Sequence, residues 1–353
     1  MSDAPAEVLR AHVARVTHGS TDGWTVKKLK GDASNRSYFR VAAPAGGHSF
    51  VLMVMPKVVR SEEATKGEAP SELPFVNVHR YLDRLGVRVP TIHAYDPEAQ
   101  IMVLEDLGDA TFEAGLRKGT DPAARREELY GRAVDLLATL RARADRSPDA
   151  TCLSSTRAFD FALFRWEFDH FLEWGLAARH GVTLAGAEKA RVDELGDGLC
   201  RALASLPRGF THRDYQSRNL MLLGAAEELC VIDFQDALQG PMQYDLVALL
   251  RDSYVQLPLE FVERMVRRYL ARLAAEGGPA VDPEPFLADF HLLTVQRKLK
   301  DAGRFVFIDR VKGNPWFLPN VKPSLGYVKA ALERRPELAD LHAILARYVP
   351  ELA

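Results

Sequence analysis

The sequence predicts an α+β fold in which a small antiparallel sheet precedes a larger helical region. The chain has 353 residues, and a single hydrophobic core stops growing at about 250–300 residues. Short runs of β-branched and aromatic residues dominate the first hundred positions, and long amphipathic patterns follow from about residue 110. We therefore expect an N-terminal lobe over residues 1–105 and a helical C-terminal lobe over residues 106–353.

The N-terminal lobe is expected to be a sheet with one helix. PAGGH (44–48) predicts a turn between two strands. In residues 71–86, apolar residues recur at helical spacing until Gly86, which predicts a helix that ends there. The runs that predict strands are WTVKKLK (24–30), YFRVAA (38–43), FVLMVM (50–55) and IMVLEDL (101–107).

The C-terminal lobe should consist mainly of long helices. Asp121 followed by Pro122 is typical of a helix start, because Asp caps free N–H groups and proline suits the first turn. One face of this helix is expected to contain Leu129, Ala133, Leu136 and Leu140. Further helices are predicted at residues 159–176, which are unusually aromatic, and at 261–277, 283–303 and 337–349.

Composition excludes several classes of protein. The net charge of −2 provides no basic field for a general nucleic-acid binder. No apolar run approaches the ~20 residues that cross a bilayer, and the N-terminus lacks the apolar stretch of a signal peptide. Cys152, Cys200 and Cys230 are widely spaced without a CxxC pair, which predicts buried thiols in a reducing compartment. We expect a cytoplasmic protein without nucleic-acid or membrane partners; the oligomeric state is left open.

The segment FTHRDYQSRNLML (210–222) carries the strongest functional signal. Asp214 follows His212 by two residues and precedes Asn219 by five, the spacing with which phosphoryl-transfer enzymes hold a base and a metal ligand together. Residues 220–223 and 229–232 predict a hairpin.

If Leu220 pairs with Ile232, Asn219 and Asp233 lie opposite each other at about 4.5–5.5 Å. An amide oxygen and a carboxylate at that separation can share Mg²⁺, with substrate phosphates and water completing its ligands.

Asp214 is then placed to orient a substrate hydroxyl and accept its proton. His212 and Arg213 support this loop, His212 more as a structural histidine than as a catalyst. Asp245 is predicted in the first turn of the next helix, either orienting the loop through hydrogen bonds or acting as a helix-start charge. Asp and Asn also flank ordinary hairpins as turn residues, but these five residues in this order favour catalysis.

HRDYQSRN (212–219) followed by VIDFQDALQGPMQYDLVALLRD (231–252) resembles the aminoglycoside phosphotransferase family, which shares the two-lobed protein-kinase fold. It is most similar to that family's bacterial kinases of N-acetylmuramate and N-acetylglucosamine, which act on the anomeric hydroxyl. Further matches in order along the chain are GDASNRSYFRV (31–41), LEDLGDATF (104–112) and VQRKLKDAGRF (295–305).

The resemblance implies a transfer of the γ-phosphoryl group from ATP with Mg²⁺. It identifies Asp214 as the base and Asn219 and Asp233 as magnesium ligands. It further implies that the backbone of residues 104–107 holds the adenine. These residues are Leu104, Glu105, Asp106 and Leu107.

The predicted phosphate loop departs from a glycine-rich pattern, since it contains a single glycine. Hydroxyl, amide and guanidinium groups of side chains can donate to the phosphate oxygens instead of the backbone N–H groups of a glycine-rich loop. The loop residues are Gly31, Ser34, Asn35 and Arg36. In the third strand, Met53 stands where kinase-fold proteins usually have a lysine that pairs with the nucleotide phosphates. Positions that can supply this charge or orient it are Arg36, Arg40, Lys57, Glu68 and Glu72.

Three functions remain open for the acceptor side: a sugar kinase, a phosphotransferase for an aminoglycoside or choline-like alcohol, and a nucleotide-binding module without catalysis. Residues 291–312 carry six Lys or Arg against two Asp, which suits a neutral or anionic sugar better than a polycation. Arg297 can meet a lactyl carboxylate or can lie on a solvated helix face. Trp166 and Trp174 can stack on a sugar ring or pack in the core, and Asp236 is a further acceptor candidate.

Overall fold

The computed structural model describes residues 5–29, 36–56 and 72–353. The chain divides into two compact units. The sheet unit comprises Met1–Ala69 and Val89–Ala110, and the helical unit comprises Pro70–Arg88 and Thr111–Ala353. The functional division at residues 105 and 106 stays a prediction.

Among its described residues, the sheet unit contains one α-helix and one five-stranded antiparallel sheet with the order β1-β2-β3-β5-β4. The predicted turn at 44–48 joins β2 to β3, where Ala43 donates its N–H to His48. Helix α1 and strand β4 are additions to the predicted elements. The elements are α1 (Ala6–Thr17), β1 (Thr25–Lys28), β2 (Ser37–Ala42), β3 (Ser49–Val54), β4 (Ile92–Asp96) and β5 (Ile101–Glu105).

The two faces of this sheet have different roles because side chains alternate along each strand. One face packs with Leu9 and Val13 of α1 to form a core that includes Phe39, Val41, Leu52, Ile101 and Val103. The intervening residues on β2, β3 and β5 lie on the opposite face; they include Arg40, Met53 and Leu104.

The helical unit contains two short antiparallel ladders and ten helices in the part of the chain that the structure describes. Strand β6 (Arg208–Thr211) pairs with β9 (Leu238–Pro241), and β7 (Leu220–Leu223) pairs with β8 (Glu228–Val231). The helices are α2 (Pro74–Arg84), α3 (Phe112–Gly115), α4 (Pro122–Arg146), α5 (Phe161–His170), α6 (Gly186–Ala204), α7 (Tyr244–Leu250), α8 (Leu259–Ala275), α9 (Pro283–Lys312), α10 (Val321–Leu332) and α11 (Ala339–Ala346).

Helix α4 begins as predicted, because the Asp121 carboxylate accepts the N–H groups of Ala123 and Ala124, each at 3.0 Å. Its buried face was predicted with one error. Leu137 is buried, whereas Leu136 is only partly buried.

Helix α9 runs further than residue 303. At Gly303 a Cβ atom would lie 3.0 Å from the main-chain oxygen of His170, so the glycine allows close packing on the π-helical turn Phe171–Ala178 rather than ending the helix. The helix ends at Gly313, which has a left-handed φ of 65°.

The predicted burial of the three cysteines is confirmed: all are buried and lie outside any disulfide, and burial raises the pKa of the Cys200 thiol to about 12. Among the described helices, none combines the length and apolar character needed to span a bilayer.

Candidate active site

The segment between β6 and β7 is a loop held by buried hydrogen bonds. Its His212 is fully buried, and the imidazole donates from Nε2 to the main-chain oxygen of Ile232 at 3.1 Å. Nδ1 accepts the N–H of Asp214 at 3.2 Å. Burial lowers the pKa of His212, so the ring is neutral and this pair of bonds requires the Nε2–H tautomer. His212 therefore shapes the loop around Asp214.

Asp245 lies in the first turn of α7, as predicted, and contacts the loop backbone. Its carboxylate accepts the N–H of His212 at 2.7 Å and the N–H of Arg213 at 2.9 Å. Arg213 has a φ of 80°, a conformation that is costly for a side-chain-bearing residue. The two bonds from Asp245 hold the backbone in this conformation and so fix where Asp214 follows.

Asp214 is the loop carboxylate that solvent can reach, since its side chain is 34% exposed. Burial alone would raise the pKa of Asp214, but the positive charges of Lys300, Arg297 and Arg213 outweigh it and lower the pKa. At neutral pH the group is a carboxylate, the form that accepts a proton from a hydroxyl.

The β7–β8 hairpin forms with a register one residue different from the predicted one. Leu220 pairs with Val231, not with Ile232, and Ile232 donates its N–H to the main-chain oxygen of Asn219 at 3.0 Å. Asp233 lies one residue beyond this pair and has a φ of 64°. This left-handed turn brings its carboxylate back to Asn219, with 3.5 Å between Asn219 Nδ2 and Asp233 Oδ2.

The donor set at this point fits a magnesium ion. Asn219 Nδ2 also donates to the main-chain oxygen of Asp214 at 2.9 Å, which leaves the amide oxygen available to a cation. Gln235 Nε2 donates to Asp233 at 3.0 Å and to Asp236 at 2.9 Å, so it fixes both carboxylates. The described residues contain no cluster of three or more His, Cys, Asp or Glu suited to a metal. One carboxylate and one amide oxygen suit an ion that takes its remaining ligands from phosphates and water.

The structure describes only some of the residues of the sheet unit that are predicted to bind the nucleotide. Gly31, Ser34 and Asn35 lie outside the described residues, as do Lys57 and Glu68, and Arg36 lies directly before β2. Leu104 and Glu105 end β5. The main chain of Glu105 donates to Thr91, and its carboxylate accepts the N–H of Thr91 at 3.0 Å. Asp106 and Leu107 follow in the loop, and the role of all these residues toward a nucleotide stays a prediction.

Arg40 binds two carboxylates of the segment after β5. Its Nε lies 2.7 Å from Asp106 Oδ2, and its Nη2 donates to Asp106 and to Asp109, each at 2.9 Å. Asp109 therefore has a pKa below its usual value, chiefly through the hydrogen bond from Arg40. Arg40 anchors this segment to β2 and is already paired. At the position of the expected lysine, Met53 is fully buried opposite Tyr38 and Met102.

The acceptor-side candidates have diverse surroundings. Arg297 lies neither on a solvated helix face nor at the surface: its side chain is 2% exposed, donates to the main-chain oxygen of Arg213 at 2.9 Å and reaches Asp214 Oδ1 at 3.5 Å. Trp166 stacks on His170, and Trp174 packs edge-on against Phe307. Glu72, expected as a possible partner of a phosphate-binding cation, instead accepts from Asn77 and Arg80 within the helical unit.

Arg218, directly before Asn219, is a candidate that the sequence did not single out. Its guanidinium carbon lies 3.5 Å from the ring centre of Tyr254 and 4.5 Å from that of Trp316. Nε donates to Glu113 at 2.7 Å, whereas Nη1 has no hydrogen-bond partner among the described residues. Trp316 is 58% exposed. An exposed indole beside a guanidinium next to the metal candidate can bind a ring that carries an anionic group.

An antiparallel sheet unit together with a helical unit that carries the H-x-D-x₄-N loop defines a protein-kinase-like phosphotransferase. The model of the Phosphotransferase enzyme family, APH, matches residues 25–283, and the chain belongs to this family. The predicted fold class and enzyme class are thereby confirmed.

Two curated relatives are similar over most of the chain, and both are named N-acetylmuramate/N-acetylglucosamine kinase. The protein from Pseudomonas aeruginosa is 36% identical over 318 residues, which cover 89% of this chain and 86% of that protein. The protein from Pseudomonas putida is 33% identical over 331 residues, which cover 93% and 89%. A solved structure of a choline/ethanolamine kinase family protein from Mesorhizobium loti shares the fold with a TM-score of 0.60 at 16% identity, and the match covers 96% of this chain and 98% of that one.

Proposed function

We propose that this protein is an ATP-dependent sugar kinase that phosphorylates the anomeric hydroxyl of N-acetylmuramate or N-acetylglucosamine, as in the recycling of cell-wall sugars. The observation that carries the proposal is the similarity to two kinases of that name over about nine-tenths of the chain. The chain has the groups such a reaction needs: an ionised carboxylate at Asp214 and a carboxylate–amide pair at Asp233 and Asn219.

In this proposal Asp214 accepts the proton of the acceptor hydroxyl. At the same time the hydroxyl oxygen forms a bond to the γ-phosphorus of ATP. The bond from that phosphorus to the bridging oxygen breaks, and ADP leaves. Asn219 and Asp233 would hold Mg²⁺, which would neutralise phosphate charge. His212, Arg213 and Asp245 keep the loop in position. The transition state of such a transfer is loose, so positioning and charge account for most of the catalysis.

The sheet unit supplies the nucleotide residues in this proposal. The backbone of residues 104–107 binds the adenine, and the polar side chains of Ser34, Asn35 and Arg36 bind the phosphates. Arg40 positions the segment that follows β5, because it donates hydrogen bonds to the carboxylates of Asp106 and Asp109.

We expect the purified protein with Mg-ATP to release ADP in the presence of either N-acetylated sugar and to yield the sugar 1-phosphate. ADP release should be measured with a panel of sugars, aminoglycosides and amino alcohols, and the product should be identified by phosphorus NMR. If ATP is consumed with kanamycin or choline but with neither sugar, the N-acetylated sugars are not the acceptors of this enzyme. A protein that binds ATP but phosphorylates no member of the panel would favour a nucleotide-binding module.

Arg218 is proposed to contact the carboxylate that N-acetylmuramate has and N-acetylglucosamine lacks. Helix α9 connects its surroundings to the proposed base: Arg297 contacts Asp214, and eight residues later Phe305 packs against Tyr254, the ring under Arg218. Eight helical residues span about 12 Å, so Asp214 and the surroundings of Arg218 lie along the same stretch of α9.

Replacing Arg218 by glutamine should raise KM for N-acetylmuramate about tenfold or more, with a much smaller change for N-acetylglucosamine. A hydrogen bond to a charged group contributes about 1.5–3 kcal/mol, and only one of the two sugars offers a carboxylate. Steady-state kinetics on both sugars measures the ratio. Arg218→Lys is the matched control, since it keeps the positive charge. Its KM for N-acetylmuramate should lie between those of the wild type and of Arg218→Gln. An equal loss on both sugars would show that Arg218 does not recognise the carboxylate.

A further inference from the structure

A pocket of about 610 Å³ lies in the helical unit, between the segment after α7 and the helix α10. Three cations line it: Arg251, Lys322 and Arg334. None of the described residues in its lining is acidic. Its remaining walls are mainly apolar and include Leu257 and Pro323.

Arg251 is the buried cation of this pocket. It is 5% exposed, and its Nε has no hydrogen-bond partner among the described residues. The guanidinium lies against two rings, 6.0 Å from the centre of Phe290 and 5.2 Å from that of Tyr327. Such contacts offset only part of the cost of removing a charge from water. A buried cation with an unsatisfied donor at a pocket wall is a feature that an anionic ligand would stabilise.

The candidate active site does not use this charge. The next residue, Asp252, is fully buried and accepts the N–H of Ser217, in the loop before Asn219, at 2.9 Å. Ser253 then bonds to Ser324 of α10 at 2.8 Å. Asp252 thus accounts for the contact with the catalytic loop, and Arg251 has no part in it.

We propose that this pocket binds a phosphate group, either inorganic phosphate or the phosphate of a small monoester. Arg251 meets the phosphate at the inner end of the pocket, and Lys322 and Arg334, at opposite ends of the α10 wall, add positive charge at the rim. Three cations in a lining without an acidic residue suit a dianion, and a guanidinium can bind two of its oxygens at once. The apolar wall around Leu257 and Pro323 is available to the organic part of a monoester.

The experiment measures thermal unfolding of the full chain against inorganic phosphate at constant ionic strength, with chloride as the reference salt. Binding to the folded state stabilises it in proportion to ln(1 + [L]/Kd), so the rise of the melting temperature with phosphate concentration gives the dissociation constant. The test variant is the double substitution Lys322→Gln, Arg334→Gln, whose sites are both exposed and so are compatible with folding. Its matched control, Arg264→Gln with Arg267→Gln, removes the same charge from exposed positions of α8.

We expect the melting temperature of the wild type and of the control to rise with phosphate along this curve, above the chloride reference. In the rim variant the dissociation constant for phosphate should rise at least tenfold. A second titration with glucose 1-phosphate distinguishes the sources: a lower dissociation constant identifies a monoester site, and an equal one identifies a free-phosphate site. No rise above the chloride reference in the wild type, or the same dissociation constant in the rim variant, would overturn the proposal. The result is independent of which acceptor the enzyme phosphorylates.

Discussion

Replacing Asp214 by alanine should reduce turnover on the order of 10²–10⁴-fold, the usual contribution of a general base, and should leave Mg-nucleotide affinity near its wild-type value. The proposed role of this carboxylate is toward the acceptor hydroxyl. The bonds that shape the loop use the backbone of Asp214: its N–H donates to His212, and its main-chain oxygen accepts from Asn219. The substitution therefore removes the carboxylate while it keeps the contacts that position Asn219.

Two measurements separate catalysis from folding and binding. ADP release with the preferred acceptor gives the turnover, and calorimetric titration with Mg-ATP gives the affinity. Asp83→Ala, at an exposed position of α2, is the control and should leave both unchanged. Near-normal turnover in Asp214→Ala would show that this residue is not the catalytic base. A thermal melt of the variant, measured before the kinetics, would show whether it is folded.

Local patterns predicted much of the fold because they reflect local physics. Strands β2, β3 and β5 alternate or concentrate apolar residues that pack in one core, and α4 carries its own start signal in Asp121 and Pro122. Two elements of the sheet unit were missed. Strand β4 contains His93 and Asp96, which weaken a strand pattern. Helix α1 has few buried residues, and two of them, Leu9 and Val13, are buried by packing on the sheet.

The candidate site shows where local reasoning stops. The spacing of Asp214, Asn219 and Asp233 predicted a common location, but the hairpin register that supported it was wrong by one residue. A shift of one residue normally sends a side chain to the other face. Here the left-handed backbone at Asp233 reverses the chain and restores the contact. No feature of the sequence reveals a positive φ at an aspartate.

Contacts between distant parts of the chain were also invisible in the sequence. Arg218 directly precedes Asn219 in the sequence. The residues that it contacts, Glu113, Tyr254 and Trp316, are each at least 36 positions away along the chain. Arg297 was expected to face either an acceptor or solvent, and its burial against Asp214 depends on how α9 packs. Such contacts arise from tertiary packing, which no periodicity in a single segment encodes.

The metal proposal leads to a different expected result for Asp233. Replacing it by asparagine should weaken Mg-nucleotide binding on the order of 10²-fold, because the change removes one full charge beside a divalent cation. Asparagine is the right substitution here because it tolerates the left-handed conformation that Asp233 adopts with a φ of 64°. Alanine at this position would add backbone strain and mix two effects.

The binding of ATP should be titrated calorimetrically at several magnesium concentrations. We expect Asp233→Asn to need more magnesium for the same nucleotide affinity, whereas Asp214→Ala should follow the wild type. Asp236→Asn is the matched control for magnesium binding, since Gln235 donates to Asp236 just as it does to Asp233, but Asp236 is a candidate for the acceptor side and not a proposed ligand of the ion. If Asp233→Asn binds Mg-ATP as tightly as the wild type with the same magnesium dependence, Asn219 and Asp233 do not hold the ion. The two variants thus separate base from ligand: one should lose turnover with affinity retained, and the other should lose affinity itself.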